Sequence, residues 1–298
     1  MRHITAGALN VAYLEMGSPD GIPTILLHGF PYDVHSFDDA AERLASAGHR
    51  CIVPFLRGFG PTKFIHAATP RSGQQAALGL DLIALMDAMA IQQAVLAGFD
   101  WGGRAACIVA ALWPHRVKAL ISCGTGYNIQ NISKANKPAL PDKELRYWYM
   151  YYFNMERGRA GLTLYRQELC RLIWRLWSPS WDCDDATFLG TAASFDNPDF
   201  VDIVIHSYRH RFGEAAGDPA FDDVEARLAA QPPIDVPTIV LQGGHDGVEG
   251  PPPADDRDAA FFRSFYERRI LPGVGHNLPQ EAPEDFAAAV VAVTGQER

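Results

Sequence analysis

Short apolar runs alternate along the chain with longer stretches in which apolar residues recur every three or four positions. Thr24-Ile25-Leu26-Leu27 is such a run, closed by His28-Gly29, and Cys51-Ile52-Val53-Pro54 is a second. Apolar runs of this length bounded by turn residues read as strands buried on both faces. Ser72 to Ala90 carries apolar residues at helical spacing. Ala94 to Ala97 then reads as a strand, Gly103 to Trp113 as a helix and Ala119 to Cys123 as a strand. From residue 131 to 231 aromatic residues and arginine become dense and strand signals vanish, with Leu145 to Leu176 reading as helices. Pro237 to Leu241 and Glu267 to Leu271 return as strands, and Pro283 to Val293 as a closing helix. Strands alternating with helices predict an α/β core with a mostly parallel sheet covered on both faces. The core is expected over 1–130 and 232–298, with a helical cap inserted over 131–231. Pro251-Pro252-Pro253 reads as an exposed loop.

Length fits this picture, because 298 residues suit one domain carrying an insertion better than two independent domains. A formal net charge of −9 argues against nucleic acid or an anionic membrane as partner, since both require a basic surface. The five cysteines have neither C-x-x-C spacing nor a neighbouring histidine pair, so neither a disulfide framework nor a zinc site is expected. The segment Met1-Arg2-His3-Ile4 lacks the apolar core of a secretory signal, and no apolar run approaches membrane-spanning length. A cytoplasmic location is the resulting expectation, and the reading leaves room for a homodimer.

Candidate chemistry gathers at three strand ends. Gly98-Phe99-Asp100-Trp101-Gly102 joins the strand at Ala94 to the helix at Gly103, the strand–turn–helix pattern of a nucleophile elbow with aspartate at its apex. An ordinary strand-to-helix turn with Asp100 as N-cap is the alternative. His28-Gly29-Phe30-Pro31 follows the strand Thr24 to Leu27, where a loop amide can stabilise an oxyanion; Phe30 and Trp101 are the expected N–H donors, with His28, Gly29 and Pro31 shaping the loop. Asp246 follows the strand ending at Leu241, and His276 follows the strand ending at Leu271. Nucleophile, acid and histidine thus occur in the chain order Asp100, Asp246, His276, on loops at carboxyl ends of strands, where open α/β sheets place their sites. His245, beside Asp246, is read as a surface histidine.

These motifs resemble the aspartate-nucleophile branch of the α/β-hydrolases, which includes epoxide hydrolases, haloalkane dehalogenases and fluoroacetate dehalogenases. The resemblance rests on His28-Gly29-Phe30-Pro31, on Asp100-Trp101-Gly102-Gly103 and on the helical insertion, and spans His28 to Glu281. It implies an eight-stranded α/β-hydrolase sheet with a cap, an ester formed on Asp100 and then hydrolysed, and no cofactor or metal. In epoxide hydrolases two cap tyrosines donate to the epoxide oxygen. Tyr149, in Trp148-Tyr149-Met150-Tyr151-Tyr152-Phe153-Asn154, and Tyr208, in His206-Ser207-Tyr208-Arg209, resemble that pair. Tyr147, Tyr151 and Tyr152 are expected to be packing residues. Trp148, Met150 and Phe99 are expected to line the substrate pocket.

A fluoroacetate dehalogenase would resemble D-R-G-G-R at the elbow, whereas this chain has Trp101 in place of the first arginine and retains Arg104. A haloalkane dehalogenase is the closer alternative, because Trp101 could cradle a halide. Phe99, where histidine is common, and Phe55, where aspartate is usual, depart from the epoxide hydrolase pattern. The expectation is an epoxide hydrolase acting on an apolar or aryl small molecule with water. A ligand receptor on the same fold is the non-catalytic alternative. An esterase is disfavoured, because carboxylate attack on an ester would yield an anhydride.

Overall fold

The computed structural model describes residues 1–296. Among the described residues nine strands form one sheet: β1 (Arg2–Ala6), β2 (Leu9–Met16), β3 (Ile22–Leu27), β4 (His49–Pro54), β5 (Lys63–Phe64), β6 (Ala94–Phe99), β7 (Val117–Cys123), β8 (Thr238–Gly243) and β9 (Tyr266–Leu271). Their order is β1-β2-β4-β3-β6-β7-β8-β9, with β5 paired to β2. From β4 through β9 every pairing along this order is parallel, while β2 pairs antiparallel with β1, β4 and β5. The expected eight strands therefore become nine, the extra one being the two-residue β5. The hairpin β1–β2 carried no clear sequence signal. It is an edge element with solvent-facing polar positions, and residues such as Leu9 and Val11 pack in a small cluster with Leu85.

Helices α1 (Asp38–Ser46), α2 (Gln75–Ala88) and α3 (Asp100–Leu112) link the first strands. Strand β6 is buried along its whole length, and small residues of α3, including Gly103, Ala105 and Ala106, allow that helix to lie close on the sheet. Between β7 and β8 the chain forms α4 (Pro141–Arg146), α5 (Trp148–Asn154), α6 (Glu156–Leu164), α7 (Arg166–Trp177), α8 (Asp185–Ala192), α9 (Phe200–Arg211) and α10 (Asp222–Ala229). Helices α11 (Leu278–Glu281) and α12 (Pro283–Thr294) follow β9.

The inserted helices share one hydrophobic core with the sheet domain. Polar contacts fix them above the carboxyl ends of the strands. The Trp174 indole Nε1 donates to the Pro31 carbonyl at 2.7 Å, and the buried Asp33 accepts hydrogen bonds from Thr191 Oγ1 (3.0 Å) and Ser194 Oγ. Arg71 pairs with Asp199 at 2.8 Å. Among the described residues no helix is long and apolar enough to cross a membrane.

Candidate active site

The turn between β6 and α3 holds Asp100 at φ +50°, a left-handed conformation that a non-glycine residue adopts at a cost. The neighbouring glycines make the turn feasible. A Cβ on Gly102 would lie 2.1 Å from the Leu27 carbonyl oxygen, and one on Gly98 2.6 Å from the Gly102 carbonyl carbon. The elbow is thereby pressed against the end of β3, which brings the loop after β3 to Asp100. Phe30 N–H donates to Asp100 Oδ1 at 2.8 Å across the cis Phe30–Pro31 turn. The Trp101 amide lies in the first turn of α3, where helical N–H groups have no partner four residues back. Asp100 is thus an elbow residue held by a loop amide, with no side-chain cap to its own helix.

The loops after β8 and β9 complete the constellation. His276 Nδ1 lies 2.9 Å from Asp246 Oδ2, and His276 Nε2 lies 3.8 Å from Asp100 Oδ2. Asp246 Oδ1 accepts from the Val248 and Glu249 amides at 2.7 and 3.1 Å, which leaves Oδ2 for the imidazole. Asp246 and His276 are both buried. Burial alone would depress the His276 pKa. Asp246 and Asp100 together overcome it and raise it to about 10. Burial likewise opposes ionisation of Asp100, but His276, Arg104 and the Phe30 amide outweigh it and leave the carboxyl below its ordinary range. The resting pair is therefore imidazolium and carboxylate. His276 Nε2 is buried without a hydrogen-bond partner and aimed at the nucleophile candidate.

Tyr149 on α5 and Tyr208 on α9 are both buried, and their rings meet edge to face with centroids 5.5 Å apart. Tyr208 packs against Trp101 and Phe30, at 6.2 and 5.7 Å between centroids. Burial raises the pKa of both phenols, so they are protonated donors at neutral pH. A cavity of about 740 Å³ opens from Asp100, and its walls include Arg104, Tyr149, Met150, Arg211 and His276.

Two expected pocket residues lie elsewhere. Phe99 ends β6 with its side chain turned into the core against Tyr32, at 5.1 Å, and Phe37, at 6.0 Å. Trp148 is half-buried beside Tyr149 and Tyr152 and does not line the cavity. Tyr208 is not among the residues lining the cavity, but its ring packs edge to face on that of Tyr149, which is. His28 supports the loop: its Nε2 accepts from Leu56 N–H at 3.1 Å, and burial lowers its pKa to about 4. Gly29 is obligatory, since a Cβ there would lie 2.3 Å from Asp100 Cβ. His245 is exposed and its Nδ1 meets Ser180 Oγ at 2.5 Å, away from the site.

Several site residues escaped the sequence reading. Asn128 Nδ2 donates to the Asp100 carbonyl at 2.8 Å, and its Oδ1 accepts from Arg104 Nη2 at 3.2 Å. Ser178 Oγ accepts from the His276 amide at 3.0 Å and donates to Glu281 Oε1 at 2.6 Å. Glu281 in turn accepts from the Gly275 and Asn277 amides at 2.6 and 3.0 Å. None of these lies in a local motif; the contacts span 24 to 103 residues of chain, except those of Glu281 within its own loop. Trp177 stands 5.0 Å from both the His276 and Tyr149 rings. No cluster of His, Cys, Asp or Glu among the described residues has a metal-holding arrangement.

The model of the alpha/beta hydrolase fold family matches residues 23–283. A crystal structure of a protein from Klebsiella pneumoniae, provisionally named an epoxide hydrolase, superposes with a TM-score of 0.96 at 49% identity, covering 99% of this chain and 97% of that one. Epoxide hydrolase A of Mycobacterium tuberculosis is 26% identical, over 99% of this chain and 98% of its own length. Epoxide hydrolase 2 of Siraitia grosvenorii is 36% identical over 121 residues, 40% of this chain and 36% of that protein. The match thus spans little more than a third of this last relative. A family model that matches residues 23–283, taking in β4 to β9, all but the first residue of β3 and all three strand-end loops, places the chain in the α/β-hydrolase family, with epoxide hydrolases among its relatives.

Proposed function

We propose that the protein is an epoxide hydrolase that opens an epoxide to a vicinal diol through an ester on Asp100. The observation that carries this reading is the joint engagement of Asp100: one carboxylate oxygen on the Phe30 amide, the other facing His276, which Asp246 holds from behind. The fixed carboxylate would attack an epoxide carbon through Oδ2, and the C–O bond of the epoxide would break. Tyr149 at the cavity wall would donate to the departing oxygen, which stays attached to the substrate as an alkoxide, and Tyr208, packed on Tyr149, would join it once its hydroxyl turns to the cavity. The alkoxide gains its proton through the phenols, with the resting imidazolium as the ultimate source. That transfer leaves His276 neutral at the moment a base is needed. Neutral His276 then takes a proton from water as the water attacks the ester carbonyl. The developing oxyanion is held by the Phe30 amide and the free amide of Trp101. Collapse of that intermediate breaks the C–O bond to the substrate, the hydroxyl proton of the intermediate passes to the departing oxygen, and the diol leaves with Asp100 again a carboxylate and His276 an imidazolium.

Haloalkane dehalogenation is the second reading, favoured by one observation. The Trp101 indole Nε1, on the residue after the nucleophile candidate, is buried and makes no hydrogen bond of ordinary length, with only the Tyr208 hydroxyl close enough to approach it. Trp174 is not available as a second indole donor, because its Nε1 is spent on Pro31. The test is a panel of epoxides and alkyl halides assayed for diol and halide together, with Asp100→Ala as control. Diol formation that vanishes in the folded Asp100→Ala variant supports the proposal. Halide release without diol formation overturns it in favour of the dehalogenase, and absence of both leaves a ligand receptor.

A further inference from the structure

Arg104 is an unusual residue to find in a site built around an apolar substrate. It stands one helical turn after Asp100 on α3, so the two side chains emerge from the same helix face. Its side chain is almost entirely buried, at 7% exposure, yet it makes no contact-distance salt bridge among the described residues and feels Asp100 only across space. Its one hydrogen bond is to the neutral Asn128, and its buried Nε has no partner. Buried guanidinium groups ordinarily find a carboxylate, because desolvating an unpaired charge costs several kcal/mol.

A second guanidinium approaches from the cap. Arg211, at the end of α9, lies over the Tyr208 ring at 4.9 Å. In the amide orientation that satisfies both side chains, Gln130 accepts from its Nη2 at 2.9 Å and from its Nε. Arg104 and Arg211 both line the cavity that opens from Asp100. Burial, and then repulsion from Arg211, lower the Arg104 pKa to about 10 against the attraction of Asp100, and Arg104 also acts on the carboxylate of the half-buried Glu225. Lys134 and Lys137 at the cavity wall pair with no acid among the described residues, whereas of the two glutamates there Glu249 is occupied by Lys143 and Glu144 accepts from Tyr151 and the Ala139 amide. A chain of net charge −9 thus surrounds its candidate site with surplus positive charge.

We propose that Arg104 and Arg211 form a carboxylate subsite, so that the preferred substrates carry a carboxylate on a short apolar body beside the epoxide. Guanidinium groups bind carboxylates through several N–H donors, and a partly desolvated cavity strengthens those contacts. With Arg211 Nε and Nη2 on Gln130, the donors left for a carboxylate are the unpartnered Arg104 Nε and Arg211 Nη1, whose present acceptor is the weak Met150 thioether at 3.5 Å. Met150 and Tyr149 supply the apolar wall between the two ends of such a molecule. The basic residues at the cavity wall would attract it from solution.

This inference rests on the epoxide hydrolase reading for its reaction but not for its binding site, and the experiment separates the two. Styrene oxide and 4-carboxystyrene oxide are compared as substrates of the wild type, Arg211→Gln and Arg104→Gln. Binding of the two corresponding diols to the same proteins is measured by calorimetry. Hydrogen bonds to a charged group predict a preference of roughly 10- to 100-fold in kcat/KM for the carboxylate. That preference should shrink about tenfold in Arg211→Gln, partly return in Arg211→Lys, and fall with added salt. Arg104→Gln should act alike if it folds, and Arg211 carries the test if it does not. A wild-type preference near unity overturns the proposal. So does a preference that persists in the variants while both substrates slow equally, since the arginines would then serve Asp100 and the tyrosines alone. If neither epoxide is turned over but the carboxylate diol binds the wild type selectively and Arg211→Gln weakly, the subsite stands and the epoxide hydrolase reading falls. No turnover and no selective binding overturns both.

Discussion

Replacing His276 by glutamine separates the two chemical steps of the proposed reaction. In the folded protein the imidazolium is favoured by attraction to Asp246 and Asp100, which outweighs burial and raises the His276 pKa to about 10. Against an ordinary value near 6.5, this corresponds to roughly 5 kcal/mol in favour of the charged form. Part of that preference is due to Asp100, whose Oδ2 lies 3.8 Å from Nε2. Ester formation removes the Asp100 charge, so the imidazole loses affinity for its proton when it must become a base. The substituted glutamine supplies neither the proton nor the base. Its amide can still donate to Asp246, which keeps the buried carboxylate from standing alone. The two phenols remain as donors for ring opening, so alkylation should slow by less than ester hydrolysis. Loss of a general base should slow hydrolysis by about 10²- to 10⁴-fold. Incubation of His276→Gln with styrene oxide should therefore accumulate one substrate mass per chain in intact-protein mass spectrometry. Peptide mapping should place it on Asp100. Diol formation by this variant without any adduct would refute the covalent reading and favour direct attack of water. An adduct on another residue would refute the choice of nucleophile.

The same proton gives a stability prediction. Because folding raises the His276 pKa, its contribution is complete below about pH 6.5 and is lost as pH rises toward 10. The melting temperature of the wild type should fall between pH 7 and 10 more steeply than that of His276→Gln; equal slopes would contradict the resting ion pair. Tyr149→Phe and Tyr208→Phe each remove one donor and almost no volume, and each should slow alkylation by about 10- to 100-fold at 1.5–3 kcal/mol per lost bond to a charged group. Rapid-quench measurement of the ester would check this, and unchanged alkylation in both would make the tyrosines packing residues. Asp246→Asn should impair ester hydrolysis more than alkylation, seen as a burst of ester followed by slow diol release. Gly102→Ala should lose activity and roughly 1–3 kcal/mol of stability through overpacking, because its methyl would meet the Leu27 carbonyl at 2.1 Å. Thermal unfolding and diol assays would show whether the elbow tolerates that methyl.

The sheet and the three strand-end loops were legible in the sequence because their signals are local. Strand β6 buries every residue and so reads as an unbroken apolar run, and the elbow glycines are dictated by approaches that no Cβ survives. The hairpin β1–β2 was not legible, since an edge ribbon half open to solvent lacks both an unbroken apolar run and a clean alternation. Tyr149 and Tyr208 were reached through resemblance, and the structure brings their rings together from helices far apart in sequence. The pocket wall was read less well. Phe99 and Trp148 are large and near the motifs in sequence, but Phe99 faces the core as the last residue of its strand and Trp148 faces its own helix neighbours. Ser178, Glu281 and Asn128 left no trace, because a hydrogen bond across the fold does not depend on sequence spacing.

Charge explains why these less legible residues matter together. Asp100, Asp246, His276 and Arg104 converge in a buried space where each would be costly alone. Asp246 and the imidazolium balance one another, as do Asp100 and Arg104, and Arg211 is left in surplus beside Arg104. An apolar epoxide would consume the Asp100 charge on alkylation and leave two neighbouring guanidinium groups with less to offset them. The imidazolium would lose its proton more readily in that field, which favours the second step. A carboxylate on the substrate would restore balance before the first step and keep it after the ester forms. Substrate charge and base strength are therefore coupled: binding a carboxylate should leave His276 a stronger base during ester hydrolysis than binding a neutral epoxide does. The pH limb of ester hydrolysis should lie higher for the 4-carboxystyrene oxide ester than for the styrene oxide ester. Identical limbs, with the carboxylate bound selectively, would show that Arg104 and Arg211 act on binding without reaching His276.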